Sequence, residues 1–296
     1  MDTMVGRPIV AGVDGSDSAR LAASWAADEA ARRNVTLRLV AAVHLPVVGY
    51  GGAVGPAVDY TDDLRADAAG HLDGLRSAIL TVHPDLEVDI RVRTGPSASA
   101  LIEESSDALL MVLGSRGLGG FTGVLVGSTA VVLVAHGHCP VAVIRPGTAD
   151  GPVVVGVDGS PASETAVALA FDEASLRGAE LVAVHTWLDY GPYAPYAVAE
   201  IDWDAVDQRQ QELLAQRLAG WQEKYPDVTV RRVVRQDRPA RSLLEQAAHA
   251  QLLVVGSRGR GGFTGMLVGS TSQALVYHAP CPLLVARPAA VEEPTA

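Results

Sequence analysis

The chain has almost no lysine: Lys224 is the only one, and arginine supplies the rest of its 23 basic residues. This scarcity excludes a P-loop nucleotide site, because that site needs a Gly-Lys-Ser or Gly-Lys-Thr tripeptide and the sequence contains neither. Any nucleotide binding must therefore use a different geometry.

Other features are also scarce. No apolar run reaches about 18 residues, and the first residues lack a basic stretch followed by an apolar segment, so we expect no membrane span and no secretory signal. The net charge is −11 and no segment is a basic run, which argues against nucleic acid as a partner. With two cysteines, Cys139 and Cys281, the composition favours a cytoplasmic protein without disulfides.

An internal repeat organises the 296 residues. The segment IVAGVDGSDSA (9–19) returns as VVVGVDGSPAS (153–163), and HCPVAVIRP (138–146) returns as PCPLLVARP (280–288). Each copy has the length of a whole α/β domain. We therefore predict two homologous domains, 1–147 and 148–296, with the boundary in a polar stretch rich in glycine and proline.

Strand-like and helix-like segments alternate within each copy. In the first, PIVAGVD, LRLVAAVH, EVDIRVRTG, ALLMVLG and PVAVIRP resemble strands, separated by segments of helical character, one of them spanning roughly 62–80. Regular β/α alternation predicts a parallel sheet with helices on both faces and right-handed crossovers. The fold class predicted is thus two tandem doubly wound α/β domains.

The strongest chemical signal is a glycine-rich loop after the fourth predicted strand of each copy. Glycines let the backbone approach a ligand closely, and the loop ends where a helix should begin, so free N–H groups and the helix dipole favour a phosphate. The serine hydroxyl can add a donor or contact a phosphate-bound Mg²⁺. The loop residues singled out are Gly114, Arg116, Gly117, Gly127, Ser128 and Thr129 in the first copy, and Gly256, Arg258, Gly259, Gly269, Ser270 and Thr271 in the second.

A second signal is the Asp of each VDGS sequence, Asp14 and Asp158, which follows the first predicted strand. A carboxylate can accept hydrogen bonds from ribose hydroxyls, and ligands of doubly wound sheets bind beyond the carboxyl ends of the strands. With a strand order of 3-2-1-4-5, strands 1 and 4 are neighbours. Asp14 and Gly114 would then flank one crevice.

The Gly-x2-Gly-x9-Gly-Ser pattern, paired with an upstream VDGS, resembles the ATP-binding motif of the universal stress protein family. The resemblance covers nearly the whole chain, twice, as in tandem members of that family. It implies the 3-2-1-4-5 sheet, ATP between strands 1 and 4, Mg only through the bound phosphates, and a regulatory role. It also implies that the fifth strands of the two domains pair.

The resemblance further implies roles for individual residues. Asp14 would meet the ribose, the backbone of Leu45 would meet adenine, and the loop residues would cradle the phosphates. In the second domain Asp158 and Thr186 would take the first two roles. Both copies keep the pattern, so two occupied sites are expected.

Plainer interpretations remain beside these. The glycine loop can be a flexible connection, each VDGS Asp can initiate a turn or cap a helix, and Arg116 and Arg258 can be solvated instead of pairing with phosphates. The aromatic segment between Trp187 and Trp203 can contact a partner or pack over the adenine pocket.

Two other motifs are rejected. The cluster Gly117-Leu-Gly119-Gly120 does not join a first strand to its helix, as a dinucleotide fingerprint would. His136, His138 and Cys139 lack a fourth ligand, and the second copy lacks one of the three, so no metal site is predicted.

Three functions remain open. The favoured hypothesis is an ATP-binding stress-response protein whose nucleotide occupancy modulates its conformation or partner interaction. The alternatives are a slow ATPase or nucleotidyl-transfer enzyme, for which no nucleophile and base fall together, and an adaptor without nucleotide. A homodimer is possible, and the sequence does not identify a protein partner.

Overall fold

The computed structural model describes residues 6–44, 58–117, 126–148, 150–187, 202–261 and 267–287. The chain divides into two compact units, Met1–Arg145 and Pro146–Ala296. Within the described residues, no helix is long and apolar enough to cross a membrane.

Strands and helices alternate through the first unit as the sequence predicts. The elements are β1 Ile9–Gly12, α1 Asp17–Arg33, β2 Leu37–Val43, α2 Val58–Val82, β3 Val88–Thr94, α3 Ser97–Ser105, β4 Leu110–Gly114, α4 Ser128–His136 and β5 Val141–Ile144. Helix α2 extends beyond the predicted range of 62–80 at both ends.

The second unit repeats this order. Its elements are β6 Val153–Gly156, α5 Pro161–Arg177, β7 Leu181–Thr186, α6 Trp203–Lys224, β8 Val230–Arg235, α7 Pro239–Ala247, β9 Leu252–Gly256, α8 Ser270–His278 and β10 Leu283–Ala286.

Both sheets are parallel and have the predicted strand order. In the first unit the order is β3-β2-β1-β4-β5, and in the second it is β8-β7-β6-β9-β10. β1 pairs with β2 and β4, and β6 pairs with β7 and β9. The predicted 3-2-1-4-5 doubly wound fold is therefore confirmed in both units.

Burial distinguishes an inner strand from an outer one. All four residues of β1, at the centre of the first sheet, are buried, as expected for a strand covered on both faces. The outer strand β8 has no fully buried residue and exposes Arg231, Arg232 and Arg235. Charged residues on an outer strand are typical of sheets that avoid pairing with other chains.

Helix α1 packs closely on the sheet because its buried face is almost entirely alanine, from Ala19 to Ala30. Ser16 caps its N-terminus, since its Oγ accepts a hydrogen bond of 3.1 Å from the N–H of Ala19. Ser160 caps α5 in the same way, accepting from the N–H of Ser163. This close packing places the VDGS sequences at the carboxyl ends of β1 and β6.

Candidate functional site

The end of β1 and the end of β4 form one side of a crevice in the first unit. The register pairs Ala11 with Val112, so Asp14 and Gly117 emerge side by side although about 100 residues separate them. A Cβ added to Gly117 would lie 2.5 Å from Oδ2 of Asp14. The fold therefore brings together the two motifs that the sequence singled out, and we call this crevice, with Asp14, Gly117 and Ser128, site 1.

Site 1 encloses a cavity of about 450 Å³, within the range of small-molecule pockets. One part of its wall is apolar and comes from β2, α3 and β4; another part is polar and comes from Asp14 and the loop that precedes α4. The lining residues are Gly12, Val13, Asp14, Ala19, Val40, Ala42, Ser97, Leu101, Leu113, Gly114, Arg116, Gly117, Gly127, Ser128, Thr129 and Ala130.

Helix α4 begins at this cavity with an uncapped N-terminus. Its N-cap is Gly127, and no described side chain caps the helix. The first helical bond joins the N–H of Val131 to the carbonyl of Gly127, so the N–H groups of Ser128, Thr129 and Ala130 precede the helical ladder. Such an end attracts an anion through its N–H groups and its dipole.

The loop that carries these groups is fastened at its base. The N–H of Gly127 donates to the carbonyl of Ser115 at 2.8 Å, and the N–H of Arg116 donates to Ser18 Oγ at 3.3 Å. The hydroxyl of Thr129 lies 3.2 Å from Ser97 Oγ on α3. Site 1 is thus assembled from α1, α3, α4 and the strand ends between them.

The second unit repeats this arrangement, and we call the crevice with Asp158, Gly259 and Ser270 site 2. The N–H of Gly269 donates to the carbonyl of Ser257 at 2.9 Å, and no described side chain caps α8. A Cβ on Gly259 would lie 2.5 Å from Oδ2 of Asp158. That same oxygen accepts a hydrogen bond of 3.1 Å from the N–H of Arg260.

Each VDGS aspartate also closes a turn, as the plainer interpretation predicts. Oδ1 of Asp14 accepts from the N–H of Ser16 at 3.0 Å, and Oδ1 of Asp158 accepts from the N–H of Ser160 at 2.8 Å. The intervening glycine has a positive φ, which glycine adopts without strain. The turn uses one carboxylate oxygen and directs the other towards the glycine loop.

Two of the predicted site glycines have a packing role that the sequence did not reveal. A Cβ on Gly114 would lie 2.7 Å from the carbonyl carbon of Ser18, and one on Gly256 would lie 2.7 Å from that of Ala162. These glycines let the first helix of each unit approach the fourth strand, although Gly114 also lines the cavity.

The residues expected to meet adenine are not equivalent. Leu45 lies outside the described residues. In the second sheet Gly156 pairs with Val184, and in the first sheet Gly12 pairs with Val40. Thr186 and Ala42 each lie two residues further along the strand, so Thr186 corresponds to Ala42. Ala42 lines the cavity and was missed, together with Val40, Ser97 and Leu101. Alternation along β2 places residues 40 and 42 on one face and could have identified this pair.

The two VDGS turns are held differently. In the first unit Arg20 of α1 donates to the carbonyl of Gly15 at 3.1 Å. In the second unit the guanidinium of Arg217, from α6, occupies the space where a Cβ of Gly159 would project, and it pairs with Glu164 at 2.8 Å. The second turn is accordingly more buried than the first: Asp158 is half-buried, whereas Asp14 is exposed.

The cysteines and the aromatic segment are the remaining candidates from the sequence. The cysteines are both buried, as expected of small core residues. Trp187 stacks on Trp203 with ring centroids 5.8 Å apart. Tyr190, Tyr193 and Tyr196 of the same aromatic segment lie outside the described residues.

Comparison with known proteins agrees with this architecture. The family model described as "Universal stress protein family" matches twice, over residues 6–145 and 151–287. A universal stress protein of Mycobacterium tuberculosis strain H37Rv is 43% identical, over 94% of this chain and 96% of its own length. One of Mycobacterium bovis is 44% identical over the same shares.

Among solved structures, a universal stress protein from Archaeoglobus fulgidus DSM 4304 superposes with a TM-score of 0.71 at 18% identity, covering 95% of this chain and 98% of its own. At that identity the likeness concerns the fold alone. Because the family model covers both units and the mycobacterial relatives match almost end to end, the chain belongs to the universal stress protein family, as a tandem member with two such domains.

Proposed function

We propose that the protein binds ATP at sites 1 and 2 and acts as a regulator whose nucleotide occupancy modulates its conformation or a partner interaction. One observation carries the proposal: a cavity of about 450 Å³ in which a carboxylate, a glycine loop and an uncapped helix N-terminus converge. A bound nucleotide shifts a conformational equilibrium only as far as it binds the two states unequally.

Successive parts of the cavity wall suit the base, the ribose and the phosphates of an adenine nucleotide. The apolar residues Val40, Ala42 and Leu101 suit the base, whose faces are apolar. Asp14 suits the ribose hydroxyls, because its Oδ2 is directed towards the loop while Oδ1 closes the turn. The N–H groups at the start of α4 and the hydroxyls of Ser128 and Thr129 suit the phosphates and a Mg²⁺ ion that they carry.

The role proposed is binding without turnover. The phosphate cradle is complete, whereas the sequence has neither a P-loop lysine nor a nucleophile beside a base. Sustained ATP hydrolysis by the purified protein, lost when Gly117 and Gly259 become alanine, would contradict this part of the proposal and favour the enzymatic alternative. We retain the cytoplasm as the proposed location, since the ligand belongs to the intracellular nucleotide pool.

The aspartates provide a specific test. Asp14→Asn with Asp158→Asn should lower ATP affinity about tenfold, because a hydrogen bond to a charged group contributes roughly 1.5–3 kcal/mol. Asparagine keeps an Oδ1 for the turn, so both units should stay folded. The preference for ATP over 2′-deoxy-ATP, measured by titration calorimetry, should shrink towards unity because the carboxylate that meets the 2′-hydroxyl is gone.

The matched control is Asp67→Asn, which removes an exposed carboxylate on α2 away from the cavity. It should leave both affinities unchanged. If the asparagine variants discriminate ATP from 2′-deoxy-ATP as the unmodified protein does, the aspartates do not contact the ribose.

A further inference from the structure

The rims of the two sites differ in charge. Site 2 carries Arg238, Arg258 and Arg260, whereas the aligned positions of the first sequence copy are Pro96, Arg116 and Leu118, of which Leu118 lies outside the described residues. Arg238 is the N-cap residue of α7 as Pro96 is of α3. The residue at position 260 directly follows Gly259, as position 118 follows Gly117. Site 2 therefore has two arginines that site 1 lacks.

Both additional arginines lie on elements that form the site. The N–H of Arg260 donates to Oδ2 of Asp158, which places this residue beside the carboxylate. A Cβ added to Gly156 would lie 3.2 Å from Leu243 of α7, and one added to Gly12 would likewise contact Leu101 of α3. Helix α7 therefore approaches β6 in the same way as α3 approaches β1. Ser97 and Leu101 of α3 line the first cavity.

The charge of these arginines is available to a ligand. Arg238, Arg258 and Arg260 are exposed, and none of them forms an ion pair within the described residues. Site 2 also has an acidic residue that site 1 lacks, Asp237. Its negative charge is balanced by Arg241, whose Nε lies 3.7 Å from Oδ2 of Asp237. The pairs Arg20–Asp17 and Arg217–Glu164 contribute no net charge to either rim.

We propose that affinity for adenine nucleotides rises more steeply with the negative charge of the nucleotide at site 2 than at site 1, so that site 2 favours triphosphates over monophosphates. The inference rests on the proposed nucleotide sites and adds a difference between them. Arginine binds phosphate oxygens through charge-assisted, often bidentate hydrogen bonds, and exposed contacts of this kind contribute modestly each. Two additional arginines should raise the ATP-to-AMP affinity ratio about tenfold, with a steeper dependence on salt.

The test isolates each site. In the Gly117→Ala protein, dissociation constants for ATP and AMP report site 2; in the Gly259→Ala protein they report site 1. The ATP-to-AMP ratio should be about tenfold larger at site 2. Arg238→Gln with Arg260→Gln should lower it to the value of site 1, and Pro96→Arg should raise the ratio at site 1.

The matched control is Arg209→Gln with Arg232→Gln, which removes the same charge from α6 and β8. It should leave the ratio unchanged, which separates a local effect from the net charge of the unit. Nucleotide binding with equal ratios at the two sites would overturn this inference and leave the proposed function standing. Absence of binding at both sites in the unmodified protein would overturn both.

Discussion

Replacing Gly117 and Gly259 with alanine should severely weaken nucleotide binding at both sites while leaving both units folded. In each case the new Cβ would lie 2.5 Å from Oδ2 of the VDGS aspartate, and no described backbone atom beyond the neighbouring residues would lie within 4 Å of it. The carboxylate can swing away, so the fold survives, but it then leaves the position proposed for the ribose. We expect each site to lose affinity on the order of a hundredfold, since a charged hydrogen bond is lost and the loop is displaced.

Titration calorimetry with Mg-ATP measures this loss, and thermal unfolding shows that the units remain intact. The matched control is Gly261→Ala, two residues further along the same loop, where a Cβ would meet no described atom within 4 Å. The control should bind as the unmodified protein does. ATP affinity that is unchanged in the double variant would remove the glycine loop from the site.

Gly256→Ala should instead destabilise the second unit, because its neighbours cannot move aside. The added Cβ would lie 2.7 Å from the carbonyl carbon and oxygen of Ala162, and 2.9 Å from the nitrogen of Ser163. These are backbone atoms of α5, which packs on β6 and β9, so relief requires displacing the helix. Overpacking a tight core costs about 1–3 kcal/mol and occasionally more, and we expect the upper end of that range.

Chemical denaturation followed by circular dichroism measures the change in the free energy of unfolding. Gly220→Ala is the contrasting control: Gly220 lies within α6, where a Cβ would have no described neighbour within 4 Å. It should stabilise the protein by roughly 0.5–1 kcal/mol, since alanine favours a helix interior. Equal stability of the Gly256→Ala variant and the unmodified protein would show that α5 can shift without cost.

The contrast between these glycines shows where sequence reasoning is sufficient. Strand-helix alternation within the repeat predicted the domain type, because alternation and burial are encoded locally, in segments such as IVAGVDGS and VVVGVDGS. The strand order was predicted from the family resemblance instead. Sequence reasoning also assigned Gly114 and Gly117 to one ligand loop. Only the distances show that a Cβ at Gly114 meets backbone atoms, whereas one at Gly117 meets a side-chain carboxylate.

Much of the apolar part of the cavity could not be predicted from the sequence, although alternation along β2 indicates that Val40 and Ala42 share a face. Ala42 and Leu101 are ordinary core residues in composition, and they become a pocket wall because β2 and α3 converge at the crevice. Ser97 begins a helix in an unremarkable Ser-Ala-Ser-Ala segment, yet its hydroxyl reaches Thr129. Similarly, no residue near the second VDGS in the sequence indicates that Arg217 of helix α6 covers Gly159.

The two copies preserve their glycines but differ at the rims of their sites. Sites 1 and 2 share the aspartate, the loop and the uncapped helix, but site 2 adds arginines and holds its turn from α6. Under the proposed function, two sites of different charge selectivity would fill at different nucleotide concentrations. One chain could then respond to nucleotide over a broader range than two identical sites allow.

The most direct test of nucleotide binding at sites 1 and 2 is the nucleotide content of freshly purified protein, released by denaturation and resolved by chromatography. The Gly117→Ala/Gly259→Ala protein is purified in parallel, and added Mg-ATP is offered to both. About two adenine nucleotides per chain in the unmodified protein, absent from the folded variant, is the predicted result. An unmodified protein that carries no nucleotide and takes up no added ATP would contradict the proposal and favour the adaptor without nucleotide.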